Sequence, residues 1–557
     1  MIVLFEEYKY RTEDLERILG ERYYLPINNT HSKTNYVGYY FNPSINAGKG
    51  DVIIILPKVF LDINDLAFSQ YSPLQLLNFD TEFIGVIESS YITKFIFEIS
   101  TWLYRAINQY KKRRPENIIS ENQYTNNVVT NLDRNSNTEL DVILSIIEFY
   151  KSNKQLFAFI ARDSNSQKNK INWNKTINIT VPIVKNNKPI YLNLKTTNKK
   201  INNDEELLII FYSTLNFIKN KYFFEFELPQ NYKLIEGRHY ERLLVRGCNV
   251  LKKIKYKYFS DKMKNMYNLL YMFFDRSEKS KSNKLQEEIL LVKDFHIIFE
   301  DMVDSLISDE GINTELKKHK DGKEIDHIYR DTSFFTEDDI YYIGDSKYYK
   351  AKSNVGTLSK AKQFTYAKNV IQYNINLFNK NELDLGIRYR DSYTEGYNIT
   401  PNFFISAMID SDLDFHQANL ENVNNPLLSF HFKNRLFDRD TLILQSYKIN
   451  FLFLLSCYIS KNRLVKMKFR KEARLKFRDE LVAHLNSKYK FYKVVPVSSD
   501  LIEKYFKLLN GKIYKPSKYG NSFILALEDN DDYMEDNKKL LKIIEDEEIE
   551  KSDYYLS

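Results

Sequence analysis

The order of apolar and polar positions predicts an α+β region and then a mainly helical region in the first half of the chain. Apolar runs at Tyr36–Phe41 and Asp51–Pro57 predict strands, and the pattern from Glu88 to Tyr110 predicts a helix. Two further helical patterns follow, at Leu140–Tyr150 and Glu205–Lys221.

From residue 285 onwards, helical and extended patterns alternate, which is typical of an α/β domain. Apolar residues recur at helical spacing from Leu285 to Leu306 and predict one long helix with a buried stripe. Another helix is predicted at Ser359–Phe378, and a basic amphipathic segment at Lys466–Arg478. The predicted strands are Glu324–Arg330, Ile340–Tyr349, Asn402–Ile409 and Thr441–Tyr447.

At 557 residues the chain is too long for one hydrophobic core. Polar stretches at Lys111–Thr138 and Arg276–Lys284 mark boundaries between its regions. We therefore expect an N-terminal α+β domain at 1–110, a linker at 111–138, a mainly helical middle domain at 139–284, an α/β domain at 285–460, a basic helix with a strand–helix extension at 461–527, and an acidic, mobile tail at 528–557.

The net charge of +7 is unevenly distributed along the chain. From Glu528 to the end there are 12 Asp and Glu residues against 4 Lys, a net charge of −8, which leaves +15 on the rest. That excess suits a polyanionic partner such as nucleic acid, although a merely soluble basic surface would carry the same charge.

Cysteine usage and the lengths of the apolar runs indicate a cytoplasmic protein with no membrane partner. Cys248 and Cys457 lie far apart and support neither a disulfide framework nor a zinc site. Glu6 and Glu7 interrupt the apolar start, so no signal peptide is expected. The longest apolar run, Ile449–Ile459, has about half the length of a membrane span and predicts a core helix.

The strongest chemical signal is a carboxylate and a lysine at the end of the predicted strand Ile340–Tyr349. Strand side chains alternate between faces, so Asp345 and Lys347 project to the same side, ~7 Å apart along the backbone. Charges at the end of a buried strand are costly unless they are used. Because an Asp-x-Lys pair also occurs by chance in most long chains, its position in this strand carries the inference.

Other polar residues accompany this pair in the expected α/β domain. Glu300 flanks the apolar stripe of the predicted helix, and Asp326 lies in the next predicted strand. Gln363 and Tyr366 lie one turn apart on the following helix, where they could contact DNA or orient the lysine, although an ordinary helix surface has the same spacing. His327 is expected to pack in the core, because adjacent strand residues face opposite ways.

This set of residues fits metal-dependent hydrolysis of a phosphodiester bond. Mg²⁺ prefers hard oxygen ligands, which Asp326, Asp345 and the Ser346 carbonyl would supply, with Glu300 binding directly or through water. The metal would polarise the phosphate and lower the pKa of a bound water, and Lys347 would hold that water or offset charge on the phosphorane. Mg²⁺ is therefore the expected cofactor, with Mn²⁺ as the alternative ion.

The order Glu, Asp, Asp-x-Lys and Gln-x-x-Tyr resembles that of the PD-(D/E)XK nuclease superfamily. More narrowly, the chain resembles the LlaJI family of restriction endonucleases, relatives of McrC. The segments that carry this resemblance are Phe299-Glu300, Ile325-Asp326-His327 and Tyr342–Tyr349, with Ile171–Ile177 and Tyr447–Phe453 also similar.

The resemblance implies a multidomain α+β and α/β protein whose restriction-endonuclease-like core, a mixed sheet flanked by helices, follows N-terminal domains. It implies catalytic roles for Asp326, Asp345 and Lys347, with Glu300 as a fourth member. Ile325 stands where the superfamily name has Pro. This departure leaves Asp331 or Asp321 as alternatives to Asp326, although both are less favoured.

The resemblance also implies partners. Double-stranded DNA would be the substrate, an McrB-like AAA+ GTPase the motor, and a cognate methyltransferase the protector of host DNA. With one active site per chain, two nuclease domains would pair to cut both strands.

Three functions are compatible with the sequence. The leading hypothesis is a metal-dependent endonuclease subunit of an anti-phage restriction system, activated by the GTPase. The alternatives are a stand-alone sequence-specific endonuclease and a non-catalytic DNA-binding adaptor that stimulates the motor.

The N-terminal and middle domains carry weaker signals. By analogy, the N-terminal domain would recognise DNA and the middle domain would dock the motor or contact DNA. Within the middle domain, Trp173 is expected to be a core anchor. The basic stretch Lys252–Lys264 is either a DNA-contacting helix whose aromatic residues pack inward or a solvated face.

Overall fold

The computed structural model describes most of the chain. The described residues are 2–45, 51–77, 87–113, 139–154, 159–164, 170–202, 205–222, 226–281, 287–318, 324–350, 356–380, 387–391, 393–409, 413–423, 428–430, 434–460, 462–496, 498–516 and 520–556. Within these ranges, no helix is both long and apolar enough to cross a lipid bilayer. The expected linker falls almost wholly outside them, since only residues 111–113, at the end of a helix, are described.

The N-terminal region is a mixed α/β unit. Its elements are β1 (Ile2–Phe5), β2 (Tyr10–Arg11), α1 (Thr12–Leu19), β3 (Leu25–Pro26), β4 (His31–Lys33), β5 (Tyr36–Asn42), β6 (Asp51–Leu56), α2 (Pro73–Leu76) and α3 (Ile87–Arg113). The strands predicted at Tyr36–Phe41 and Asp51–Pro57 are confirmed as β5 and β6, and the helix predicted at Glu88–Tyr110 is confirmed as α3. Strands β1 and β6 are parallel, β5 pairs antiparallel with β6, and β2, β4 and β3 form a separate small sheet.

The middle region is mainly helical, with small sheets inserted between its helices. Its elements are α4 (Glu139–Ser152), β7 (Phe159–Ser164), β8 (Lys170–Ile171), α5 (Trp173–Ile179), β9 (Ile183–Lys185), β10 (Lys188–Ile190), β11 (Thr196–Ile201), α6 (Glu206–Tyr222), α7 (Gly237–Ile254) and α8 (Asp261–Lys281). Helices α4, α6, α7 and α8 enclose a hydrophobic core of their own. Strands β9 and β10 form a hairpin.

The next region contains the main sheet. Its elements are β12 (Glu288–Lys293), α9 (His296–Ile307), α10 (Thr314–Lys317), β13 (His327–Thr332), β14 (Asp339–Lys347), α11 (Thr357–Asn379), β15 (Thr400–Met408), β16 (Glu421–Asn422), β17 (Leu428–Phe430), β18 (Leu442–Asn450), α12 (Phe451–Ile459) and α13 (Arg463–Lys488). The sheet order is β13-β14-β15-β18-β16, and β17 also pairs with β18. Strands β14, β15 and β18 are parallel, whereas β13 is antiparallel to β14, so the sheet is mixed.

The acidic C-terminal end is folded, which corrects the expectation of a mobile tail. The C-terminal elements are β19 (Tyr489–Val495), α14 (Ser499–Lys504), α15 (Phe506–Leu509), β20 (Ile513–Tyr514), β21 (Phe523–Glu528), α16 (Met534–Asp546) and β22 (Glu550–Tyr554). Strand β22 completes the four-stranded sheet β20-β21-β19-β22. Leu540 and Ile544 of α16 are buried in a small core, and this apolar contact holds the acidic helix in place.

The long helix predicted from Leu285 to Leu306 is wrong in its first part. Strand β12 occupies Glu288–Lys293 and pairs antiparallel with β5, and helix α9 begins only at His296. The strand lies between two cores, because Leu290 and Val292 face one core while Ile289 and Leu291 face the other. Four consecutive apolar residues fit a helix or a doubly buried strand, and pairing with β5 decides between them.

A buried carboxyl group joins the N-terminal region to the main sheet. Glu6, directly after β1, is buried, and its Oε2 accepts hydrogen bonds from the Tyr348 hydroxyl at 2.5 Å and the Lys58 backbone N–H at 3.1 Å. Burial outweighs these hydrogen bonds and raises the pKa of Glu6 to about 7. Since Tyr348 directly follows β14, this contact fixes the position of the end of β14 relative to β1.

Replacing Glu6 with Gln should stabilise the protein at alkaline pH. The pKa of Glu6 is higher in the folded than in the unfolded chain. The stabilisation that the protonated Glu6 side chain contributes is therefore complete below about pH 4.5 and is lost as the pH rises through 7. We expect Glu6→Gln to raise the free energy of unfolding at pH 8 by about 1–3 kcal/mol, and by much less at pH 5. Denaturant unfolding at both pH values measures this.

Glu7→Gln is the matched control. Glu7 is half-buried and ion-paired with Lys58 at 2.9 Å, and its pKa is lowered because this ion pair outweighs burial. Its contribution has the opposite sign and is lost as the pH falls. A pH-independent effect of Glu6→Gln would contradict the assignment of a raised pKa to Glu6.

Candidate active site

Strand β14 carries Asp345 and Lys347 at its C-terminal end, inside the main sheet. It is paired on both sides, antiparallel with β13 and parallel with β15. Gly344 directly precedes Asp345, and a Cβ atom there would collide with the ring of Phe403 on β15. The ring therefore packs against bare backbone and fixes the strand at the point where the acidic side chain emerges.

The Asp345 carboxylate and the Lys347 ammonium form a direct ion pair. Both side chains are largely buried, and Lys347 Nζ lies 5.4 Å from the centroid of the Phe404 ring. The structure thus brings together the two residues that strand alternation predicts on one face. Removing one partner would leave the other charge buried and uncompensated.

Asp326 lies in the bend directly before β13, which begins three residues later than predicted. Its Oδ2 accepts a hydrogen bond of 2.9 Å from the backbone N–H of Ser346. Burial, and then the charges of Asp345 and Glu300, raise the pKa of Asp326 to about 7. Asp345 and Glu300 therefore both lie close enough to Asp326 to repel its charge.

The oxygen donors of this cluster fit a hard divalent cation. Asp326, Asp345 and the Ser346 carbonyl are all oxygen ligands, and a cation would offset the repulsion that raises the pKa of Asp326. No group of three or more His, Cys, Asp or Glu side chains within the described ranges is arranged to hold a metal ion. Mg²⁺ commonly uses only one or two carboxylates and keeps several waters, so two aspartates suffice for that ion.

A buried histidine supports the backbone between the two charged residues of β14. His327 Nε2 shares a hydrogen bond of 2.5 Å with Ser346 Oγ, and its Nδ1 lies 3.5 Å from Asp304 Oδ1. The side chain of His327 is fully buried, which confirms the prediction of a packed histidine. Burial alone would raise the pKa of Asp304, but His327 and Lys317 outweigh it and hold that pKa well below its usual range.

One sequence signal for this support is the spacing of Asp304. Asp304 follows Glu300 by four residues on α9, so both project toward the same side of the helix. Ser346 stands between the two charged residues of the Asp-x-Lys pair, and alternation sends its hydroxyl to the opposite face. Whether Asp304 on α9 lies near Ser346 on β14 depends on how α9 packs on the sheet.

Gln363 and Tyr366 lie on the buried face of α11, toward β14. Gln363 Nε2 donates a hydrogen bond of 3.4 Å to the Ile343 carbonyl, and its side chain is fully buried. Tyr366 is also buried. Because both side chains are buried, their position fits the predicted orientation of Lys347 better than the predicted contact with DNA. Both roles stay predictions.

Comparisons with known proteins identify one family. The sequence profile of the LlaJI restriction endonuclease family matches residues 83–406, more than half of the chain and all of the site residues. No curated protein sequence matches the chain.

One solved structure is similar to the chain at low identity. It is the refined half-complex from a tetradecameric assembly of Thermococcus gammatolerans McrB AAA+ hexamers with bound McrC, at 11% sequence identity, covering 85% of this chain and 99% of that chain. Its TM-score is 0.27, and no conclusion about this chain rests on it.

Replacing Asp326 with Asn should separate the effects of charge and metal on stability. We expect Asp326→Asn to raise the thermal midpoint of the metal-free protein at pH 8, because a partly desolvated charge next to Asp345 and Glu300 is removed. Mg²⁺ or Mn²⁺ at 100 times its Kd should stabilise the wild-type protein by about 2.7 kcal/mol and the variant much less.

Asp331→Asn is the matched control, because Asp331 is a nearby carboxylate on β13 and the less favoured substitute for Asp326. It should leave the metal-dependent shift unchanged. A full shift in Asp326→Asn, or its loss in Asp331→Asn, would show that Asp326 is not the ligand.

Proposed function

Because the chain belongs to the LlaJI restriction endonuclease family, we propose that it is a metal-dependent DNA endonuclease subunit of an antiviral restriction system. It hydrolyses phosphodiester bonds of double-stranded DNA. The observation that carries the proposal is the carboxylate cluster at the end of a central strand, in which the buried Asp345 lies beside Lys347 and the half-buried Asp326 is close to both Asp345 and Glu300. The mixed sheet, with α9 and α11 packed against β14, supports a PD-(D/E)XK core.

Each residue of the cluster has a role in this proposal. Asp326, Asp345 and the Ser346 carbonyl would hold Mg²⁺, or Mn²⁺ in its place, and Glu300 would bind it directly or through water. When bound, such a cation polarises the scissile phosphate and makes a bound water more acidic. Lys347 would exchange its contact with Asp345 for the attacking water or for the negative charge that develops on the phosphoryl oxygens.

An exposed apolar surface in the middle region supports a protein partner. Trp173 is 53% exposed, so the expectation that it is a core anchor is wrong. Seven further large apolar side chains between residues 177 and 192 are 42–87% exposed: Ile177, Ile179, Val181, Ile183, Val184, Ile190 and Leu192. We call these eight residues the apolar hairpin surface. Exposed apolar patches of this kind mark interaction sites.

The partner that we propose for the apolar hairpin surface is an McrB-like AAA+ GTPase. Residues 170–196 contain five Lys and no Asp or Glu, so the docking site on the partner should be apolar with acidic residues around it. The resemblance read from the sequence implies such a motor. A cognate methyltransferase, and pairing of two nuclease domains during cleavage, belong to the same proposal.

Lys347→Ala and Asp345→Asn should each reduce DNA cleavage by about 10²-fold or more, because the first removes a cation at the reacting phosphate and the second removes a proposed ligand of the metal ion. The measurement is plasmid cleavage with Mg²⁺, alone and with the GTPase and GTP. DNA binding by both variants should persist.

Lys538→Ala, at an exposed position on α16, is the control for Lys347→Ala and should cleave normally. Undiminished nicking by both site variants would exclude this site. Wild-type cleavage without GTPase would favour a stand-alone enzyme. No cleavage under any condition, with motor stimulation retained, would favour an adaptor.

Charged substitutions on the apolar hairpin surface should weaken motor binding. Val181→Asp and Val184→Asp place a carboxylate where an apolar contact is expected and should weaken GTPase binding by about 10-fold or more. Ile63→Asp, equally exposed but in the N-terminal region, is the control. Binding is measured by titration, with GTP hydrolysis as a second readout. Normal binding by both Val variants would place the motor elsewhere.

A further inference from the structure

Two aromatic rings project into solvent where helix α7 turns into α8. Tyr256 is 81% exposed and Phe259 is 83% exposed. The expectation that the aromatic residues of Lys252–Lys264 pack inward is therefore wrong for both of them. Single exposed apolar residues are common, but two almost fully exposed aromatic rings three positions apart form an apolar site of the kind that partners cover.

The fold itself holds these rings outward. Between them, the half-buried Tyr258 donates a hydrogen bond of 2.5 Å from its hydroxyl to Glu205 Oε1. On the preceding helix, Leu251 and Ile254 are buried in the core of the middle region. The turn is thus fixed from inside at three positions, and Tyr256 and Phe259 occupy the positions that face outward.

Exposed lysines surround the two rings. They are Lys252, Lys253, Lys255, Lys257, Lys262 and Lys264, and Asp261 is the one acidic residue between residues 252 and 264. Lys255 Nζ lies 5.9 Å from the centroid of the Tyr256 ring. Lys257 pairs with Glu206 at 3.3 Å, and both of these side chains are exposed. The segment therefore carries a net charge of +5 around two aromatic faces.

We propose that this aromatic–lysine corner, residues 252–264, binds unpaired nucleotides of DNA. Bases would stack on Tyr256 and Phe259 while the lysines contact phosphates, as on single-strand platforms. The lysine density argues against a protein partner, because lysine is depleted at protein–protein interfaces. Intact duplex hides the faces of its bases in the stack, whereas ends and gaps expose them.

The proposal rests on the proposed function only in that an endonuclease creates such ends. Its test is therefore a binding measurement that needs no cleavage. Fluorescence anisotropy of the full chain, without divalent metal, would compare three labelled probes of equal length. The probes are a single strand, the same strand with abasic sugars, and a closed hairpin duplex.

We expect the wild-type chain to prefer the single strand to both other probes. Tyr256→Ala and Phe259→Ala should each weaken single-strand binding by roughly 5- to 100-fold, the range for loss of one base stack. Neither should affect the abasic strand. Lys252→Gln with Lys253→Gln should weaken binding to all three probes and reduce the salt dependence, because phosphate contacts are lost.

Tyr555→Ala is the matched control for the ring substitutions, since Tyr555 is 78% exposed but lies near the C-terminus, outside the aromatic–lysine corner. Thermal unfolding would verify that all variants fold. Equal binding of normal and abasic strands, or unchanged binding by both ring variants, would overturn the proposal. Loss of GTPase binding with unchanged DNA binding would also overturn it and assign the corner to a protein partner.

Discussion

Repulsion of Asp326 by two neighbouring carboxylates at the end of β14 is the constraint on which the candidate site depends. Asp326 is held next to Asp345 by the backbone N–H of Ser346, and Glu300 adds a third charge from α9. Burial makes each of these charges more costly than it would be in water. A fold retains such an arrangement only if the surrounding structure is stable enough to hold it.

The surrounding structure supplies that stability from several directions. On the far side of β14, His327 connects Ser346 to Asp304 on α9. Helix α13 holds α9 in turn, because Arg470 and Arg474 donate hydrogen bonds to the carbonyls at its C-terminal end. The basic segment predicted at Lys466–Arg478 is therefore partly internal, and only some of its charge is free to attract a polyanion.

The N-terminal region is part of the same support. Strand β12 lies between two cores and extends the N-terminal sheet into α9, while the Tyr348 hydroxyl binds Glu6 directly beyond the site. A single hydrophobic core runs from β1 to the main sheet.

Local patterns were sufficient to predict the elements that carry the chemistry. A nearly continuous apolar run predicts β14, and the alternation of strand side chains between the two faces places Asp345 and Lys347 on one face. Both features are visible within ten residues. Strand β12 could not be predicted in this way, since its partner β5 lies some 250 residues earlier in the chain. The exposure of Trp173 and the contact of His327 with Ser346 depend on tertiary packing, which periodicity does not report.

Asp326 and Asp345 are proposed to hold the divalent cation of a nuclease jointly. Crystals of the chain with DNA and Mn²⁺, measured at the manganese absorption edge, would locate the ion directly. We predict an anomalous peak that places the ion within coordination distance, about 2.0–2.2 Å, of an oxygen of each aspartate and of the Ser346 carbonyl. A fully occupied manganese site at other residues, in protein that cleaves DNA, would contradict the account.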